Sequence, residues 1–122
     1  MKPKKLLKFI CLVYFDGRKL QALTAAERSA FDASSYAYDV SLQKAGSYII
    51  AEALQSPRSA RTVSVRGRKV TVVDGPFREA KEPLGGFILV QAPSLRAAER
   101  IAAGIPLAKL GSVEVRPVFD FS

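Results

Sequence analysis

The chain has 122 residues, 48% of them hydrophobic, and carries 19 Lys and Arg against 11 Asp and Glu, for a formal net charge of +8. That length suits a single domain over residues 1–122, able to bury roughly two-thirds of the surface its unfolded chain exposes. The lone cysteine, Cys11, excludes an intramolecular disulfide, and the absence of histidine excludes a His-based triad and imidazole zinc ligands. No metal and no cofactor is expected, and one thiol without a partner fits a reducing, cytoplasmic setting.

Lys2, Lys4, Lys5 and Lys8 lead into an apolar stretch in the manner of a signal peptide, but Lys8 interrupts it and Asp16-Gly17-Arg18 closes it. Leu6 to Phe15 covers about ten residues, where a membrane-spanning helix needs roughly 20. A strand is expected here, apolar at nearly every position as in a central strand buried on both faces. No membrane contact is expected.

Thr24-Ala25-Ala26-Glu27 has the spacing of a capping box, so a helix should start near Ala25. Phe31, Ser35, Tyr38, Leu42 and Ala45 then form one stripe, with Asp32, Asp39 and Gln43 away from it, and Gly46 suits the helix end. Ser47 to Leu54 reads as a strand, broken by Gln55-Ser56-Pro57. From Ala60 to Arg66, Val63 and Val65 alternate with Thr62, Ser64 and Arg66, the pattern of a half-buried strand. Gly67-Arg68 can turn the chain, and Lys69 to Val73 returns as its hairpin partner. Arg58, Arg61, Arg66, Arg68 and Lys69 gather on this arm with no aromatic residue among them to stack bases, so nucleic acid is not expected as a partner.

Gly85 to Gln91 is the next strand, followed by Ser94 as cap of a helix carrying Leu95, Ala98, Ile101 and Ala102, which Gly104 and Pro106 stop. Ser112 to Phe119 closes the chain beside the first strand. Counting the arm as one member, the order is β-α-β-β-β-α-β, an α+β, ferredoxin-like βαββαβ core with a β-hairpin arm. Right-handed crossovers put both helices on one face of such a sheet. The first strand nevertheless offers apolar residues on both sides, Ile10 and Leu12 on one and Phe9, Cys11 and Val13 on the other. A homodimer packing sheet against sheet would cover the second face.

Residues 74–87 read Asp-Gly-Pro-Phe-Arg-Glu-Ala-Lys-Glu-Pro-Leu-Gly-Gly-Phe. With the Ala-rich helix after Ser94-Leu95 and the Val113-Glu-Val-Arg-Pro-Val118 ending, this segment resembles the DGPF subgroup of the YCII-related protein family. The resemblance implies a dimeric α+β barrel. It also implies an association with alternative sigma factors, and hence a regulatory role, as some such relatives have.

Asp74-Gly75-Pro76 suits a tight turn in which the Asp carboxylate accepts backbone amides. Alternatively Asp74, with Glu79, is a carboxylate beside a cleft that serves as general acid or base in a lyase- or isomerase-like proton transfer. Glu79, Lys81 and Glu82 can pair as charges on a short helical turn. They also stand between that turn and Gly85-Gly86, where missing side chains let a ligand approach the backbone. Tyr14 and Arg116 can face the same cleft, one with a hydroxyl and the other with a planar cation that suits a carboxylate or phosphate. The wider family is associated with a His on the first helix and an Asp in an Asp-Pro step after the second. This chain has Tyr36, Tyr38 and Asp39 in the first place and Ile105-Pro106 in the second. The leading expectation is a module that binds a small organic molecule in a cleft near residues 74–87.

Overall fold

The computed structural model describes residues 5–121, so Lys2 and Lys4 of the basic cluster lie outside the described residues. The apolar run near the start forms β1 (Leu7–Phe15), which is paired on both sides. It runs antiparallel to β5 (Leu84–Ala92) and to β6 (Gly111–Pro117), and β2 (Tyr48–Ala53) adds to the far side of β5. The sheet order is therefore β2-β5-β1-β6, the ferredoxin-like arrangement, with β3 (Arg61–Arg66) and β4 (Lys69–Asp74) forming a separate two-stranded arm.

The capping box closes as its spacing predicts: the Thr24 hydroxyl accepts the Glu27 amide at 3.1 Å and the Glu27 carboxylate accepts the Thr24 amide at 2.9 Å. Helix α2 (Ala25–Lys44) follows. Ahead of it stands a helix the sequence reading did not include, the single turn α1 (Gly17–Gln21), capped by Asp16. In the carboxy-terminal half of α2 Leu42 is buried and Tyr38 donates to the carbonyl of Ile101, in the helix that follows β5, at 2.5 Å, while Ala45 at the end of the expected stripe stays exposed.

Helix α3 (Leu95–Gly104), capped by Ser94, lays Ala98 and Ala102 on Phe9, Cys11, Ile88 and Val90. Small residues let this helix come close, and full burial of a side chain such as Phe9 contributes about 1.5–3 kcal/mol. Both helices lie on this one face. The other face carries Ile10, Leu12, Phe87 and Leu89 half-buried and Ile50 exposed, with no helix over them. No helix among the described residues is long and apolar enough to cross a membrane.

The arm corrects one expectation. Gly67 turns it at φ 61°, as the sequence suggests, but Thr62 and Ser64 are its half-buried residues and Val63 and Val65 are exposed. The Thr62 hydroxyl donates to the Gly75 carbonyl at 2.8 Å, and that bond turns the polar side of β3 towards the arm's base.

Candidate functional site

Two connections build the main cleft. After β2 the chain passes through a 3-10 turn, Pro57–Ser59, which Ser56 caps by accepting the Arg58 amide. After β4 the Gly75 amide donates to the Ala60 carbonyl at 2.8 Å, and residues 76–83 then run back towards the sheet. The Phe15 amide donates to the Pro83 carbonyl at 3.2 Å, fastening this second loop to the end of β1. Between the loops lies a cleft of about 750 Å³. Leu54, Phe77 and Leu84 supply much of its apolar wall, and Tyr14 reaches it from the open face of the sheet.

The expected site residues divide among several places. Tyr14 and Glu82 line the cleft, and Glu82 is held by Lys19 at 3.8 Å. Asp74 and Glu79 share a shallower groove of about 400 Å³ on the other side of the loop. Both are exposed there, and the Asp74 carboxylate meets Arg61 Nε at 3.1 Å across the arm. Segment 75–83 forms no helical turn; Glu82 finds its partner outside it in Lys19, and Lys81 bears on Asp16 through its charge alone. Arg116 sits further along the open face, paired with Glu114 on its own strand. Gly85 and Gly86 stand in the lining of a separate cavity on the helix side and not of the cleft, and the space a side chain would take is filled by protein: a Cβ on Gly85 would overlap the Phe15 ring, and one on Gly86 would come 2.9 Å from the Glu52 carbonyl oxygen.

Two features of the site lie outside the expected set. Arg78 lines the cleft with its guanidinium 5.5 Å from the centre of the Phe77 ring, and no carboxylate pairs with it among the described residues. Asp16, 7% exposed, accepts from the Arg18 amide at 3.0 Å and from its guanidinium at 2.8 Å. These Arg18 hydrogen bonds, with a smaller contribution from the Lys81 charge, hold its carboxyl at about 2.

A second cavity, about 230 Å³, lies on the helix side between α2 and the start of a 3-10 turn, Pro106–Lys109. Ser35, Tyr38 and Asp39 line it from the helix, Ile105 and Pro106 from the other wall. Lost hydration raises the Asp39 carboxyl above its ordinary value and, with a smaller effect of Cys11, raises the Tyr38 phenol too. Burial pushes the Cys11 thiol up to about 11, which leaves it protonated and a poor nucleophile at neutral pH.

The family model of the YCII-related domain matches residues 7–122. The chain belongs to the YCII-related family. A search of curated proteins finds no match. In this YCII-related chain the two segments that the family resemblance singles out, the first long helix and the Ile105-Pro106 step, do come together as the walls of the second cavity. The groups they bring there are a carboxyl, a phenol and a serine hydroxyl.

Proposed function

We propose that this YCII-related chain binds a small organic molecule with an apolar body and an anionic group in the cleft between residues 54–60 and 76–84. The observation that carries the reading is the cleft itself. Its volume falls within the roughly 300–1,000 Å³ of small-molecule sites. Its walls are mostly apolar, and Arg78 stands at its lining without a carboxylate partner among the described residues. A guanidinium in that position suits a carboxylate or sulfonate, while Phe77, Leu54 and Leu84 suit an aromatic or aliphatic body.

The dye 1-anilinonaphthalene-8-sulfonate has both features and serves as a probe. It is expected to bind with one saturable site per chain. Ala80→Trp, which places an indole in the cleft from an exposed position, should abolish that site with the fold intact. Arg78→Ala should weaken it by roughly tenfold, the loss of one charge-assisted hydrogen bond. Equal binding by wild type and Ala80→Trp would refute the assignment.

Asp74 acts in this reading as a surface anchor of the arm. Asp74→Asn is expected to change stability by no more than about 1 kcal/mol, as for other exposed ion pairs, and to leave dye binding unchanged. Chemical denaturation and the same titration check both halves of that statement. Proton transfer is a second reading, and it is supported better at Asp39 than at Asp74 or Glu79. Asp39 is half-buried in a cavity it shares with a phenol, and lost hydration raises its carboxyl, whereas Asp74 and Glu79 stand exposed on the surface. The chain is further proposed to pair with a second copy through the open face of the sheet, whose half-buried apolar rows have no covering layer among the described residues.

A further inference from the structure

The polar groups that line the cleft are of two kinds. Those of Ser56 and Ser59 are committed to the 3-10 turn, where the Ser56 hydroxyl accepts the Arg58 amide at 3.3 Å and the Ser59 hydroxyl donates to the Ser56 carbonyl at 2.7 Å. Arg78, Glu82 and Tyr14 are not so committed. Arg78 pairs with no carboxylate among the described residues, and this includes Glu82: no nitrogen of its guanidinium comes within 4.0 Å of that carboxylate, although both residues line the same cleft. Glu82 is half-buried, and its ion-pair partner, Lys19 Nζ, stands 3.8 Å from Oε2, beyond hydrogen-bond length. A carboxylate offers about four acceptor positions, and among the described residues no hydrogen bond fills any of those on Glu82. The hydroxyl of half-buried Tyr14 has no partner among them either.

Two opposite charges kept apart in a mostly apolar cleft match a ligand that carries both signs itself. We propose that the ligand of this cleft is an α-amino acid with an apolar or aromatic side chain, its carboxylate on the Arg78 guanidinium, its ammonium on the Glu82 carboxylate and its side chain against Phe77, Leu54 and Leu84. This rests on the small-molecule reading above and adds a second charge to it. The direction of the ligand follows from donor chemistry. A guanidinium only donates and its planar fork suits a carboxylate, whereas the Glu82 carboxylate only accepts and suits an ammonium. The ammonium has three donors, so one remains for the Tyr14 hydroxyl oxygen. Selection against close analogues follows as well. An acid without the amine satisfies Arg78 but brings a second negative charge towards Glu82 with no cation between them, and an amine without the acid leaves Arg78 unsatisfied.

The experiment measures displacement of 1-anilinonaphthalene-8-sulfonate from the full chain by two competitors that differ only in the amine, L-phenylalanine and 3-phenylpropionate. L-Phenylalanine is expected to displace the dye at a concentration about tenfold lower, the effect of one charge-assisted hydrogen bond. Glu82→Gln keeps the shape and an acceptor oxygen but removes the charge. It should bind the dye no more weakly than wild type and should lose the preference for L-phenylalanine. A wild type from which both compounds displace the dye equally well, or neither does, overturns the amino-acid assignment and leaves the cleft reading standing. A preference that survives in Glu82→Gln does the same. Dye binding that Ala80→Trp leaves unchanged overturns the cleft reading, and this proposal with it.

Discussion

Replacing Gly111 by alanine is expected to destabilise the protein by about 3 kcal/mol or more, a large share of the roughly 5–15 kcal/mol that holds a domain folded. Gly111 opens β6 opposite Phe15. A Cβ there would overlap the Tyr14 carbonyl oxygen and fall 2.8 Å from the Phe15 Cα. Both atoms belong to the backbone of the central strand, which is fixed by pairing on its two sides, so neither can rotate out of the way. The contrast with Gly85→Ala makes the argument testable. There the obstructing atoms are the ring of Phe15, a half-buried side chain that can leave its rotamer for about 1 kcal/mol. Urea denaturation of the two variants should rank Gly111→Ala as clearly the worse. A Gly111→Ala protein within about 1 kcal/mol of wild type would show that β1 and β6 separate more easily than their packing implies. Because the obstructed carbonyl belongs to Tyr14, any folded fraction of this variant should also bind the dye more weakly.

The sequence made the strand order legible, with the last strand beside the first, and beyond that what it showed was local. The Thr24–Glu27 box, the apolar run of β1 and the Gly67 turn each depend on residues within a few positions of one another, and all three stand as expected. The wall of the cleft was indicated by the segment from Asp74 to Phe87, and Tyr14 and Glu82 do line it. The cation at its lining was not identified, because Arg78, Lys81 and Arg116 carry the same charge and the sequence pattern does not rank them. Only the path of residues 76–83, fastened by the Phe15 amide some 68 positions earlier in the chain, distinguishes them. Asp39 was placed on the outer side of its helix by the 3.6-residue period. It is half-buried because residues 105–107, which no helical wheel contains, pack beside it. Alternation in β3 likewise shows which residues share a face. Which of the two faces turns inward was settled by the Thr62 hydroxyl bonding to Gly75, a contact 13 residues away.

Asp16 is where the short helix missed by the sequence reading and the cleft become one problem. Its carboxylate caps α1, holds the Arg18 side chain and feels the charge of Lys81 on the loop that walls the cleft. An ordinary Asp ionises near 3.9 in the unfolded chain, and here the folded value is about 2. The folded value is the lower one, so the ionised group favours the native state. Its contribution is fully present above about pH 4 and is lost as the pH falls towards 2. Asp16→Asn keeps one acceptor oxygen for the Arg18 amide but gives up the charge and the paired contact with the guanidinium. The variant is therefore expected to be markedly less stable than wild type at pH 7. The gap between the two should narrow through pH 4 to 2 and close below it, as read by thermal unfolding across that range. A gap that stays constant down to pH 2 would mean that shape, and not charge, is what Asp16 contributes. The same variant should bind the dye less well at pH 7. Loss of the carboxylate releases Arg18 and removes the charge facing Lys81, while the Phe15 amide to Pro83 is left as the main tie between the loop and β1. Dye affinity in Asp16→Asn is accordingly expected to be below that of wild type at pH 7, and the difference between the two proteins to close over the interval in which the stability gap closes.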